Sequence, residues 1–296
     1  MIRRSFLASS AAVLSAQDTV IRVEVKLVRI LASVRDQSGQ LFGGLEKADF
    51  QIFDEGIPQT TAIFERSTTA PLSVVVMLDI SASIAKDLKY ETEATLRFAR
   101  ALFGEGNPDD QLALITFNHN VDLIAGFTRR MKRLENAIKG IRTGSGTALY
   151  DALYLASEEL EGREGRKVII CVSDGGDTAS YQNFNSANIA IQRAQAAVYP
   201  ILVTPITNDA GRNVGGENAL QLIAERSGGR VLQPSSYERL SASFEEILRD
   251  LRTQYLLGYY PQNLTGKGSR FHKLEVKVSR PGLRVSARSG YYEETL

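Results

Sequence analysis

The sequence predicts an α/β protein: a doubly wound, mostly parallel sheet with a flanking β-sandwich-like unit formed by N- and C-terminal strands. Three observations predict it. The apolar runs LSVVVMLD (72–79) and KVIICVSD (167–174) have the texture of central parallel strands buried on both faces. Amphipathic helical segments follow such strands from Leu72 to Gln254, the alternation that builds a parallel sheet with helices on both sides. At both ends of the chain the pattern changes to period two, apolar residues alternating with charged ones.

The chain begins MIRRSFLASSAAVLSAQD. Arg3 and Arg4 supply a positive start, residues 5–14 are small or apolar, and Ala16 precedes a cleavage point, so residues 1–16 read as a signal peptide. This predicts a secreted or periplasmic protein. No later run is long and apolar enough to span a bilayer. In the N-terminal β section, 20–66, Ile21, Val23, Val25 and Leu27 alternate with Arg22, Glu24 and Lys26. RDQSGQ (35–40) is a turn, LEKAD (45–49) allows one helical turn, and 50–66 reads as two short strands around a turn at Asp54–Pro58.

In the α/β section, 70–254, the first buried strand is followed by a helix carrying Leu88, Leu96, Ala99, Leu102 and Phe103. Strands at 111–118 and 121–128 form a hairpin. Helices follow at 131–141 and 147–162, then the second buried strand, a helix at 187–197, a third strand at 198–205 and a helix at 218–228 ended by Gly228 and Gly229. RVLQP (230–234) reads as a short strand, and 237–254 as a helix with Leu240, Phe244, Ile247, Leu248 and Leu251 on one stripe. The C-terminal β section, 255–294, holds strands at 255–261, 271–280 and 283–292, with RPG (280–282) expected to join the last two as a hairpin. Neither β section has many strands alone, so the two are expected to pack together with the α/β section inserted between them. The tyrosines at 255–260 and 291–292 read as strand packing.

Composition narrows the function. Among 296 residues, 35 Lys and Arg balance 34 Asp and Glu, so a net charge of +1 points away from nucleic acid. There are two histidines, which weakens any imidazole-based catalysis, and one cysteine, Cys171, in an apolar run, where an inert core thiol is expected.

Chemistry concentrates at the strand ends, where open α/β sheets place their ligands. Asp79 and Asp174 each close a buried strand, an expensive place for a carboxylate unless something pairs with it. Ser81 and Ser83 follow Asp79 at alternate positions, and Thr147 lies in the Gly-flanked segment TGSGTALYD (143–151). Two carboxylates and three hydroxyls, with no His or Cys, suit an octahedral Mg²⁺ or Mn²⁺ that keeps some waters. One serine alone would read as a helix cap. An aspartyl-phosphate enzyme, a phosphohydrolase using Asp79, usually carries a second acid two residues on, where this chain has Ser81. The third glycine of a dinucleotide fingerprint, the Gly-Lys-Ser/Thr of a P-loop and the G-x-S-x-G elbow are all missing.

At this point the sequence resembles a known family. DISAS (79–83) is similar to the D-x-S-x-S element of the von Willebrand factor type A domain, Thr147 in GSGTALYDAL to its lone threonine, and Asp174 in VSDGGDT to its distal aspartate. Residues 34–59 resemble the N-terminal region of a bacterial group of secreted proteins related to that domain. The resemblance covers essentially the whole chain after the signal region. It implies a metal-ion-dependent adhesion site in which Ser81 and Ser83 bind the metal directly, Thr147 binds directly in a high-affinity state, and Asp79 and Asp174 act largely through coordinated waters. One coordination position stays open for a partner's Asp or Glu carboxylate. Gly144 and Gly146 would give the threonine loop mobility, and Asp177 would be solvated or an outer neighbour. The expected function is non-catalytic, metal-dependent protein–protein binding. The alternatives are the phosphohydrolase and a scaffold whose metal only stabilises it. In related domains the last helix moves when the site is occupied; here it would pass that shift directly to the strand beginning at Tyr255.

Overall fold

The computed structural model describes residues 27–66, 69–82, 87–203, 213–262 and 271–293. The signal-peptide stretch, the alternating residues 20–26 and Ser83 lie outside them. In chain order the described elements are β1 (Val28–Arg35), a 3₁₀ turn (Lys47–Asp49), β2 (Phe50–Asp54), β3 (Ile57–Gln59), β4 (Thr61–Glu65), β5 (Leu72–Asp79), α1 (Leu88–Glu105), β6 (Gln111–Phe117), β7 (Val121–Thr128), α2 (Met131–Lys139), α3 (Leu149–Leu160), β8 (Arg166–Ser173), α4 (Phe184–Ala194), β9 (Ala197–Leu202), α5 (Val214–Ser227), a 3₁₀ turn (Tyr237–Arg239), α6 (Leu240–Arg252), β10 (Tyr255–Tyr259), β11 (Phe271–Val278), β12 (Arg284–Ala287) and β13 (Gly290–Tyr292).

The central sheet has the order β7-β6-β5-β8-β9. All its pairings are parallel except the β6–β7 hairpin. Every residue of β5 is buried, which is why its run is unbroken. Its side chains divide by parity. Val74, Val76 and Leu78 pack with Phe98, Leu102, Phe244 and Ile247 from α1 and α6. Val75 and Met77 pack with Leu149, Leu153, Leu220 and Ile223 from α3 and α5. Each such fully buried aliphatic side chain contributes roughly 1.5–3 kcal/mol. The fold class is the one the sequence predicts, and the chain reverses its strand order at β5, between β6 and β8.

Two four-stranded antiparallel sheets, β12-β1-β10-β4 and β13-β11-β2-β3, flank this unit. Strands from both chain ends share both sheets: β1 pairs with β10 and β12, and β2 with β11. The core between them includes Val28, Ile30, Ala32 and Val34, alternate residues of β1, with Ile52, Leu274 and Tyr291. The chain enters the α/β unit after β4 and leaves it at β10, and these strands are neighbours, with Leu256 opposite Glu65. Arg35 of β1 also reaches Asp250 of α6 at 2.5 Å, and Asp250 is held from within the α/β unit by Arg230 at 2.7 Å.

Four expectations are corrected. Residues 280–282 do turn, but β11 and β12 form no hairpin. β12 pairs with β1 in one sheet and β11 with β2 and β13 in the other, so the turn crosses between layers and Leu283 and Val285 enter the core. The single strand expected at 283–292 breaks where Ser289 N donates to Arg226 O at 2.9 Å and Ser289 O accepts from Leu274 N at 2.8 Å. RVLQP reduces to one bridge between Leu232 and Ile201. Its partner strand carries Pro200, which has no N–H to extend a ladder. The helix expected from 187 starts at Phe184, because the Asn183 side chain accepts from Asn185 N and Ser186 N and so caps it.

Candidate functional site

The carboxyl ends of β5 and β8 lie side by side where the strand order reverses, the place at which open α/β sheets bind ligands. Asp79 is the last residue of β5 and is fully buried. Its Oδ1 accepts from Ser81 N at 2.9 Å and its Oδ2 from Ser173 Oγ at 2.8 Å, so both carboxylate oxygens are oriented from within the chain. The Ser81 hydroxyl also bonds to Asp79.

Backbone bonds draw three further loops to this point. Gly144 N donates to Ile80 O at 3.0 Å, and Ser81 bridges Gly144 as a one-residue parallel pair. Ala148 N donates to Asn118 O at 2.7 Å, joining the threonine loop to the end of β6. Thr147 N donates to Thr178 Oγ1 at 3.0 Å, while Thr147 O accepts from Thr178 N and Ala179 N at 2.8 and 3.1 Å. Thr147, itself buried, is therefore held between the β6 loop and the β8 loop. The bend between Gly144 and Thr147 uses Gly146 at φ +75°, a left-handed conformation that favours glycine. Asp174, just past β8, is half-buried, and its Oδ1 accepts from Gly176 N at 3.0 Å. Asp79, Ser81, Thr147 and Asp174 thus stand on loops joined to one another; Ser83 is outside the described residues.

The electrostatics are one-sided. Burial pushes the Asp79 carboxyl up to about 6, Asp174 adds to the rise, and the bonds from Ser81 and Ser173 oppose it. Glu91, in the first turn of α1, is fully buried, and neither of its carboxylate oxygens has a hydrogen-bond partner among the described residues. Burial raises its pKa well above the ordinary value, and the charges acting on it, Asp79, Asp87 and Asp174, all push the same way. Tyr237, in the turn leading into α6, bonds to Asp87. Its hydroxyl is raised by burial first and then by Asp87 and Glu91.

The raised Asp79 carboxyl gives a testable pH dependence in chelated buffer. Its folded pKa lies above the unfolded value of about 3.9, so ionised Asp79 destabilises the fold above about pH 6, and the cost fades as pH falls. Asp79→Asn should therefore be more stable than the wild type at pH 7.5, by about 2–3 kcal/mol. The gap should narrow to about 1 kcal/mol near pH 4.5. Urea unfolding at both pH values checks this, and a gap that widens on acidification refutes it.

Ser173, Thr178, Glu91 and Tyr237, which sequence reasoning did not name, lie around Asp79, Ser81, Thr147 and Asp174. Glu91 had a usable signal. It occupies the buried stripe of α1 at helical spacing from Thr95, Phe98 and Leu102. Asp177, expected to be solvated, is half-buried and accepts from Ser180 Oγ at 2.5 Å and Tyr150 N at 3.4 Å, fixing the turn over the start of α3. Cys171 is buried and its thiol is pushed up by that burial, as an inert core cysteine should be.

Residues 74–176 match the profile of the von Willebrand factor type A domain. Solved structures with a similar fold include the vWF domain of the type V pili tip protein Mfa5 from Porphyromonas gingivalis, at 16% identity and a TM-score of 0.52, covering 62% of this chain and 95% of that one. Proximal thread matrix protein 1 from the mussel byssus is similar at 18% identity and a TM-score of 0.54, over 67% of this chain and 51% of that one. The pilus adhesin SpaC from Lactobacillus rhamnosus GG, in its open conformation, is similar at 10% identity and a TM-score of 0.51, over 82% of this chain and 47% of that one. At these identities the likeness is one of fold. No curated protein matches the sequence.

Proposed function

We propose that the protein is a secreted or periplasmic, non-catalytic binding module that takes a protein partner in a divalent-metal-dependent way. Asp79, Ser81, Ser83, Thr147 and Asp174 hold Mg²⁺, with Mn²⁺ as a substitute, and a partner's Asp or Glu carboxylate completes the site. Residues 70–254 form the binding domain, and 20–66 with 255–294 form its support. The observation that carries this reading is the gathering of acidic groups at the strand ends. Asp174 adds to the cost of the buried Asp79, and behind it Glu91 is buried with no hydrogen-bond partner among the described residues. Such a group of carboxyls is stabilised by a cation, and the hydroxyl-rich donor set suits a hard one.

When bound, the cation supplies an electrophilic coordination position to a carboxylate. The chain's own residues do the rest. Ser173 and Ser81 N fix the Asp79 carboxylate in one orientation. The Thr147–Thr178 bonds hold the threonine against the β8 loop. Two of the structures with this fold are a pilus tip protein and a pilus adhesin, which supports an adhesive role. Among the described residues no helix is long and apolar enough to cross a membrane.

The test uses acidic peptides on beads, alongside the same peptides with Gln for Glu and Asn for Asp. The protein should be retained by the acidic set in Mg²⁺, released by EDTA and not retained by the amide set. Equal retention in EDTA would overturn metal dependence. Hydrolysis of a phosphate ester that disappears in Asp79→Asn would replace binding with catalysis.

A further inference from the structure

A second group of metal-ligating side chains lies in the sandwich, outside the α/β unit. Asp54 ends β2, Glu55 follows it in the turn to β3, and His272 lies on the neighbouring strand β11. One ligand atom from each lies within 4.8 Å of the others.

Asp54 is fully buried. Its Oδ2 accepts from Tyr259 Oη at 2.6 Å and Tyr291 Oη at 2.8 Å. Its Oδ1 accepts no hydrogen bond, although it faces His272 Nδ1 at 3.4 Å, and that nitrogen is also buried without a hydrogen-bond partner. A buried carboxylate oxygen and a buried imidazole nitrogen would normally close to a charge-assisted bond of about 2.7–2.9 Å. The longer gap has another meaning. Two ligands on a tetrahedral ion, each bonded at about 2.0–2.1 Å, stand about 3.4 Å apart.

The surroundings fit the same reading. The two tyrosine hydroxyls hold the far oxygen of Asp54, the outer-layer bonding that orients a ligating carboxylate. The His272 ring stacks on Tyr291, with centroids 4.8 Å apart and 10° between planes, which fixes its orientation. Glu55 has φ +50°, a left-handed backbone rarely adopted by a residue that is not glycine and often found at functional sites. In that conformation its Oε1 accepts from Lys273 N at 2.5 Å, which brings the carboxylate beside His272.

We propose that Asp54, Glu55 and His272 form a second divalent-cation site, for an ion of the Zn²⁺ class. One imidazole with carboxylates is a borderline donor set, unlike the oxygen-only set at the strand ends. Three protein ligands leave one tetrahedral position to water. The bound ion ties the β2–β3 turn to β11 and so braces the sheet β13-β11-β2-β3.

The proposal does not rest on the site at Asp79, and its test removes that site. In full-length protein carrying Asp79→Asn, stripped of metal and kept in excess Mg²⁺, Zn²⁺ is titrated by calorimetry and Co²⁺ by visible absorption. One equivalent should bind, with the intense absorption of tetrahedral Co²⁺, and Zn²⁺ should raise the thermal midpoint. His272→Gln and Glu55→Gln should each weaken binding at least tenfold and abolish the thermal shift. Glu55 is exposed, so its variant keeps the fold intact. No bound ion, or affinity unchanged in both variants, would overturn the proposal and leave Asp54 and His272 as a simple pair.

Discussion

Alanine at Ser81 is expected to lower Mg²⁺ affinity at least about 100-fold, since loss of outer-layer partners alone costs 10–100-fold at metal sites. The fold should survive. Ser81 N remains to orient Asp79 Oδ1, and Ser173 Oγ still holds Oδ2. The loss should therefore appear in calorimetric titration with Mg²⁺ and in acidic-peptide retention, while the unfolding midpoint in EDTA stays within about 1 kcal/mol of wild type. If the Thr147 hydroxyl joins the metal only when a partner carboxylate is bound, as the proposed function implies, Thr147→Ala should weaken peptide retention more than Mg²⁺ binding. Unchanged Mg²⁺ affinity in Ser81→Ala would remove the strand-end site from consideration.

Glu91→Met is expected to act in two directions at once. Without metal, Glu91 is a buried carboxyl with both oxygens unpartnered among the described residues, set in the apolar stripe of α1. An apolar side chain of similar length should stabilise the chelated protein by about 1–3 kcal/mol, the usual cost of an unsatisfied buried polar group. The same change removes an acidic group behind Asp79 that a bound cation would help to ionise, so Mg²⁺ affinity should fall. Thermal unfolding in EDTA and Mg²⁺ titration measure the two effects. A less stable chelated variant would show that Glu91 has a native partner and is not an electrostatic reserve.

The buried strands were the most legible elements. A strand covered on both faces carries apolar residues throughout, and β5 begins and ends where its run does. The path between the sandwich sheets was not legible. RPG specifies a reversal, and a reversal within one sheet looks the same in sequence as one between two layers. The difference lies in β1 offering an edge to β12, a contact between residues some 250 positions apart, as with Ala32 and Ala287. At the site, Asp79, Ser81, Thr147 and Asp174 could be read because each breaks its local pattern. Glu91 was legible only through its helical spacing from Thr95, Phe98 and Leu102, because DLKYET itself reads as an ordinary polar helix start. Only the packing of α1 against the sheet turns that glutamate inward.

The attachment of the α/β unit limits its degrees of freedom. A body hung from one flexible linker can turn about any axis. This one hangs from two short linkers on adjacent strands, at Glu65 and Leu256, which leaves rotation about the line joining them. The Arg35–Asp250 pair adds a third point of attachment, on the helix that leads into β10. The bond from Ser289 N to Arg226 O adds a further point, between the sandwich and α5. With the unit held at these separate places, a displacement of α6 has to be carried into β10 and the sandwich.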